Sequence, residues 1–296
     1  MNNDRIQEIL DLMEEARLDY FLISDPQSIA YCTGYYNDPH ERMFVFMVSK
    51  HGNHTLFMND LFYLEHDLGV NIVWHKDGQD AIQTIVNEMH FPGRIGIDKN
   101  WASHFLLDLM KKLPNAKYIN ASPCVDLVRM KKDLQEQVLM IESSKINDAV
   151  MEEIIPFIQE GVSEKQLAKK LDELFFNHHS TCYGAIVAFG KNAADPHHEN
   201  DDTLLRKGNC VLIDMGCVYK GYCSDMTRTF FYGGIREDEM KVYETVKKAN
   251  EAAEAMIKPG VKLSDIDKCA RKVISDESYG QYFTHRLGHF IGRDVH

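Results

Sequence analysis

Two aspartates stand where a strand calls for apolar or β-branched residues. Asp214 ends the run CVLID, and Asp225 opens the run DMTRTF. A carboxylate inside an apolar strand is costly unless something compensates its charge. A turn at Tyr219-Lys220 would set Asp214 directly opposite Asp225 on one face, with Cβ atoms about 5 Å apart. Three arrangements relieve such a like-charge pair: a divalent cation between the two groups, a shared proton, or an ion pair between Asp225 and Arg228. The spacing alone leaves all three open.

Histidines form the second group. The segment HRLGHFIGRDVH carries His285, His289 and His296. His285 and His289 are four apart, as in the zinc-helix pattern HExxH, but Arg286 occupies the place of the essential glutamate and Gly288 interrupts the helix. Any one of these histidines alone would sit on a surface or in a core without chemistry. Three in so short a stretch, interleaved with Gly288 and Gly292, point to a site. The third group, FGKNAADPHHEND, places His197 and His198 behind Pro196 and taken alone reads as a polar turn.

The elements that must position these residues fall into two stretches. Ile6, Ile9, Leu10 and Met13 repeat at helical spacing before the strand DYFLIS. RMFVFMVS and HTLFM flank His51-Gly52-Asn53 as a hairpin. NIVWH and RIGID are short strands followed by helices over 78–91 and 102–113, and AKYINAS closes the series before Pro123. This alternation predicts a layered α/β domain over residues 1–125 and a second domain over 126–296. The second opens with a helical stretch over 130–158, then a helix capped by Ser163 and Gln166. The strands GAIVAFG, NCVLIDMG and SDMTRTFFYG follow, with a helix over 238–257 and another starting at Ser264, where Asp267 sits at the capping-box position.

Composition excludes several classes. The chain has 296 residues and a formal net charge of −12, which argues against a nucleic-acid partner. The N-terminus lacks a basic start followed by an apolar core, and the densest apolar run, Met43 to Val48, is too short to span a bilayer. Seven irregularly spaced cysteines without a CxxC pair read as reduced thiols of a cytoplasmic protein.

Taken together, GKNAADPHH, IDMG…GYCSDMTRT and HRLGH…G…VH resemble, in order and spacing, the motifs of the pita-bread metallopeptidases: prolidase, aminopeptidase P and methionine aminopeptidase. The resemblance covers about residues 130–296. The preceding α/β domain is similar to the creatinase-type N-terminal domain of the prolidase branch, and NDPHER after TGYY is most similar to bacterial prolidases. The resemblance implies an α+β pita-bread catalytic domain that hydrolyses the Xaa-Pro bond of dipeptides through a bridging hydroxide of a dinuclear centre. Asp214, Asp225 and His289 would be metal ligands, and His197 and His296 would contact substrate and stabilise the tetrahedral intermediate. Two divalent ions are implied, with Mn²⁺ the best match to an oxygen-rich ligand set and Co²⁺ or Zn²⁺ as alternatives. The substrate would be a small peptide with proline second, and the protein a homodimer in which Asp38, His40 and Arg293 approach substrate. Aminopeptidase P action on longer peptides, or a metal-free binding module, are the competing expectations.

The chain departs from the family pattern at two places. That pattern continues after the equivalent of His296 with further glutamate ligands, so the sequence is expected to be a shortened form carrying three of the five protein ligands. Phe290 stands where the family more often has glycine.

Overall fold

A computed structural model describes residues 1–90 and 92–296. Contacts divide the chain into two compact units, Met1–Lys132 and Asp133–His296.

In the first unit, the helical apolar repeat becomes α1 (Asn3–Glu15), which buries Ile6, Ile9 and Met13 and is capped by the Asn2 side chain. It is followed by β1 (Tyr20–Ile23), α2 (Pro26–Thr33), β2 (Val45–Ser49), β3 (Thr55–Asn59) and β4 (Asn71–His75). Then come α3 (Ala81–Glu88), β5 (Arg94–Ile97), α4 (Ser103–Lys112), β6 (Lys117–Asn120) and α5 (Ser122–Met130). The strands form one mixed sheet in the order β4-β3-β2-β1-β5-β6. Alternation along β1 feeds both faces: Phe21 and Ile23 pack with α1 and α5 residues, while Tyr20 and Leu22 pack with Ile82, Ile85 and Leu109.

The expected hairpin of β2 and β3 forms, with Met47 opposite Thr55. The helix expected over 78–91 begins only at Ala81, behind the cap Asp80, because Gly78 holds a left-handed turn (φ 82°). Residue 91 lies outside the described residues. Neither α2 nor α5 was expected. Pro26 and Pro123 stand in the first turns of these helices, where a missing N–H costs nothing. The boundary expected after residue 125 falls within α5, and the first unit runs to Lys132.

The second unit opens with α6 (Leu134–Ile154), capped reciprocally by Asp133 and Glu136, and α7 (Glu164–Asn177), capped in the same way by Ser163 and Gln166. Its strands are β7 (Thr181–Cys182), β8 (Ile186–Phe189), β9 (Cys210–Met215), β10 (Cys217–Tyr219), β11 (Tyr222–Cys223) and β12 (Met226–Phe231), and its last helices are α8 (Glu237–Glu254) and α9 (Leu263–Asp276). Two three-stranded sheets result, β12-β9-β8 and β11-β10-β7. Val211, Ile213 and Met215 of β9 pack in one core with Leu167, Leu171 and Phe175 of α7. Alternation then sends Asp214 to the other face. Among the described residues, no helix is long and apolar enough to cross a membrane.

Candidate metal centre

One continuous hairpin carries both aspartates. Its turn is Lys220-Gly221, both in left-handed conformation (φ 48° and 81°), with Tyr219 opposite Tyr222. The turn expected at Tyr219-Lys220 is therefore displaced, because a two-residue hairpin turn of this kind takes positive φ at both positions and glycine supplies one cheaply. The consequence for register is that Thr227, not Asp225, stands opposite Asp214. A shift of two residues along a strand preserves its face. Asp225 accordingly stays on the side of Asp214, as a diagonal neighbour.

At Gly216 and Ser224-Asp225 the hairpin passes from one sheet to the other. A Cβ on Gly216 would lie 1.9 Å from Tyr183 Oη and 2.1 Å from the Ser224 carbonyl oxygen, so only glycine fits there. Tyr183 Oη donates to that carbonyl (2.8 Å), pinning the residue before Asp225. Thr227 Oγ1 donates to Asp214 Oδ1 (2.8 Å) and fixes the second carboxylate. Neither Tyr183 nor Thr227 was expected. Thr227 could have been found from the period of two starting at Asp225, whereas Tyr183 comes from a distant stretch that gives no local signal.

The histidine segment is not helical, so the HExxH pattern has no structural counterpart. It is held from α9 instead. Asp267 was expected to cap that helix, but the helix starts at Leu263 and Asp267 faces sideways. Its Oδ2 accepts from Arg271 Nε (2.6 Å) and its Oδ1 from the Leu287 N–H (2.8 Å). Arg271 donates in turn to the carbonyls of Phe283 (2.9 Å) and His285 (2.6 Å). Farther along, the Cys223 N–H donates to the Gly292 carbonyl (2.7 Å), tying the last residues to the hairpin.

These supports bring His289 Nε2 to 3.3 Å from Asp225 Oδ2. The other ring nitrogen, Nδ1, lies 3.0 Å from the Phe290 carbonyl oxygen, which can only accept. Nδ1 therefore carries the proton, and in a neutral ring Nε2 presents a lone pair to a carboxylate oxygen. A second proton or a cation is needed to reconcile them. The ring of His296 lies 4.2 Å from that of His289, centroid to centroid. Arg228, the alternative partner for Asp225, donates instead to the Thr227 carbonyl (2.9 Å).

All five residues meet at one cavity of about 970 Å³: Asp214, Asp225, His289, His296 and His197 line it, with Tyr183, Asn250 and Glu254. Burial, then the charge of Asp225, pushes the Asp214 carboxyl above its ordinary range, with the Thr227 hydrogen bond opposing. Burial also pushes the Tyr183 phenol up, and both aspartates add to the effect. The donor set fits divalent cations: two carboxylates forced together, one with a raised pKa, and an imidazole nitrogen beside them.

Three further expected residues are Arg293, Asp38 and His40. Arg293 is not in the cavity lining; its guanidinium sits over the Tyr222 ring, 5.4 Å from the centroid. Asp38 and His40 belong to the first unit, on an exposed turn in which Asp38 Oδ1 accepts from the His40 N–H (3.0 Å).

A fold of this kind, with paired acids and histidines at one cavity, defines a class. Residues 138–296 match metallopeptidase family M24 and residues 5–131 match the creatinase/prolidase N-terminal domain; the chain belongs to the M24 family. It is 30% identical to an uncharacterized peptidase of Staphylococcus aureus, over 99% of this chain and 84% of that protein. Among solved structures it is similar to a recombinant prolidase from Thermococcus sibiricus (TM-score 0.93, 30% identity, covering 100% of this chain and 83% of that one). It is similar also to the Xaa-Pro dipeptidase from Bacillus anthracis (TM-score 0.89, 26% identity, covering 99% and 82%).

Proposed function

We propose that the protein hydrolyses the Xaa-Pro bond of dipeptides at this cavity, with two divalent ions held by Asp214, Asp225 and His289. The observation that supports this most is the convergence of five residues from three separate stretches on one cavity wall. Carboxylate oxygens with a single imidazole suit Mn²⁺, with Co²⁺ and Zn²⁺ as alternatives. Such ions, when bound, neutralise the paired carboxylates and supply Lewis acidity for the attack of water on the scissile carbonyl.

The chain's own residues do the rest. Thr227 keeps Asp214 oriented. Tyr183 remains a protonated phenol committed to the Ser224 carbonyl, and so supports Asp225 without exchanging protons with substrate. His197 and His296 line the cavity and offer N–H donors to the charge that develops on the carbonyl oxygen. Free thiols at all seven cysteines suit a cytoplasmic enzyme. A homodimer accords with the same reading.

With Mn²⁺ supplied, the protein is expected to release proline from an Xaa-Pro dipeptide. An Xaa-Pro-Yaa tripeptide should be cleaved at least about tenfold less efficiently. Preference for the tripeptide, or no metal-dependent cleavage of either peptide, would overturn the proposal.

A further inference from the structure

His197 sits on a short turn with little core of its own, yet one buried carboxylate holds the chain on both sides of it. Glu164, the first residue of α7, is fully buried (0% exposed). Ahead of the turn, its Oε1 accepts from the Phe189 N–H (2.8 Å) and from Asn192 Nδ2 (2.9 Å). Behind the turn, its Oε2 accepts from His198 Nε2 (2.6 Å) and from the Asp201 N–H (3.1 Å). The turn is closed internally, with His197 N–H donating to Asp195 Oδ1 (3.0 Å) and His198 N–H to the Asp195 carbonyl (3.2 Å).

Ligand-type atoms of Glu164, His198 and Asp201 lie within 4.8 Å of one another, a spacing compatible with a metal site. A carboxylate offers about four acceptor positions, however, and four donors fill them here. The cluster works as a hydrogen-bond hub and leaves no place for a cation. Because His197 and His198 are adjacent in a closed turn, seating His198 against Glu164 sets where His197 meets the cavity.

We propose that Glu164 is the positioning residue for His197, acting through His198, Asn192 and the backbone on either side of the turn. The proposal rests on the reading of His197 as a substrate-contacting residue. The test uses Glu164→Gln, which keeps the size but turns an NH₂ group towards donors. For dipeptide hydrolysis, kcat should fall about tenfold or more with KM within about twofold. In a His197→Ala background the same substitution should change kcat by less than about twofold, since residues acting through one another are not additive. Hydrogen exchange of amides 190–201 should speed up while α8 and α9 keep their rates. Should Glu164→Gln fail to fold, His198→Ala removes one of the four bonds and should show the same pattern more weakly. Independent, multiplying effects of Glu164 and His197, or unchanged exchange across the turn, would overturn the proposal. If the wild type cleaved no Xaa-Pro peptide, the functional reading would fall, and the exchange rates would still decide whether Glu164 holds the turn.

Discussion

Asp214 bears two penalties, burial and the nearby charge of Asp225, and both raise its pKa. An acid whose folded pKa is raised costs stability once the pH climbs above its ordinary value, and costs nothing in acid where both states are protonated. In metal-free protein, Asp214→Asn should therefore raise Tm by a few degrees at neutral pH. That gain should vanish as the pH falls towards the ordinary value of 3.8, which thermal unfolding in chelator across this range would check. A lower Tm at neutral pH would mean that the carboxylate is stabilised by something other than a cation. At this scale much was legible in the sequence. An aspartate ending an apolar run, and a second one opening the next, are visible without coordinates, and so are the histidines. Thr227 shares the face of Asp225 by the period of two, but Tyr183, which holds the residue before Asp225, is not visible there, because an ordinary tyrosine becomes a support only through tertiary contact.

The elements tell a more mixed story. Hydrophobic periodicity found α1, α6, α7, the strands of the first unit and β8, β9 and β12 of the second, since burial dictates those patterns directly. By contrast, β7, β10 and β11 are two or three residues long and too short to show a period. Prolines misled where they begin helices, at Pro26 and Pro123. The hairpin register lies two residues from the expected one because Gly221 forms the second position of the turn, yet the shared face of the acids survives an even shift. Asp267 shows the same limit: its position suggested a helix cap, whereas its oxygens hold Arg271 and the Leu287 backbone. Those bonds, with Arg271 first, lower the pKa of Asp267. A depressed carboxylate contributes stability above its unfolded pKa and loses it as pH falls through the folded value. Asp267→Asn should thus lower Tm at neutral pH, with the difference from wild type disappearing in acid. It should also speed hydrogen exchange over 283–289, the stretch that presents His289. Unchanged exchange there would show that α9 does not hold the histidine segment.

On the scale of the whole molecule, the chain comprises two units with separate cores, and the paired acids and histidines belong to the second. The charge of −12 suits a protein that gathers cations at one point better than one that follows a phosphate backbone. The family could be read from three motifs in order because their spacing reflects one hairpin, one turn and one terminal segment meeting at a cavity. What that spacing could not give was the set of contacts between them.

Calorimetric titration of MnCl₂ into metal-free protein, wild type against Asp225→Asn, tests the centre most directly. Saturable binding by the wild type is expected. Its affinity should drop in the variant by more than the roughly 10–100-fold typical of losing an outer partner, because a ligand itself is removed. Equal affinity in the two proteins, or no binding by the wild type, would contradict a metal centre built on Asp214, Asp225 and His289.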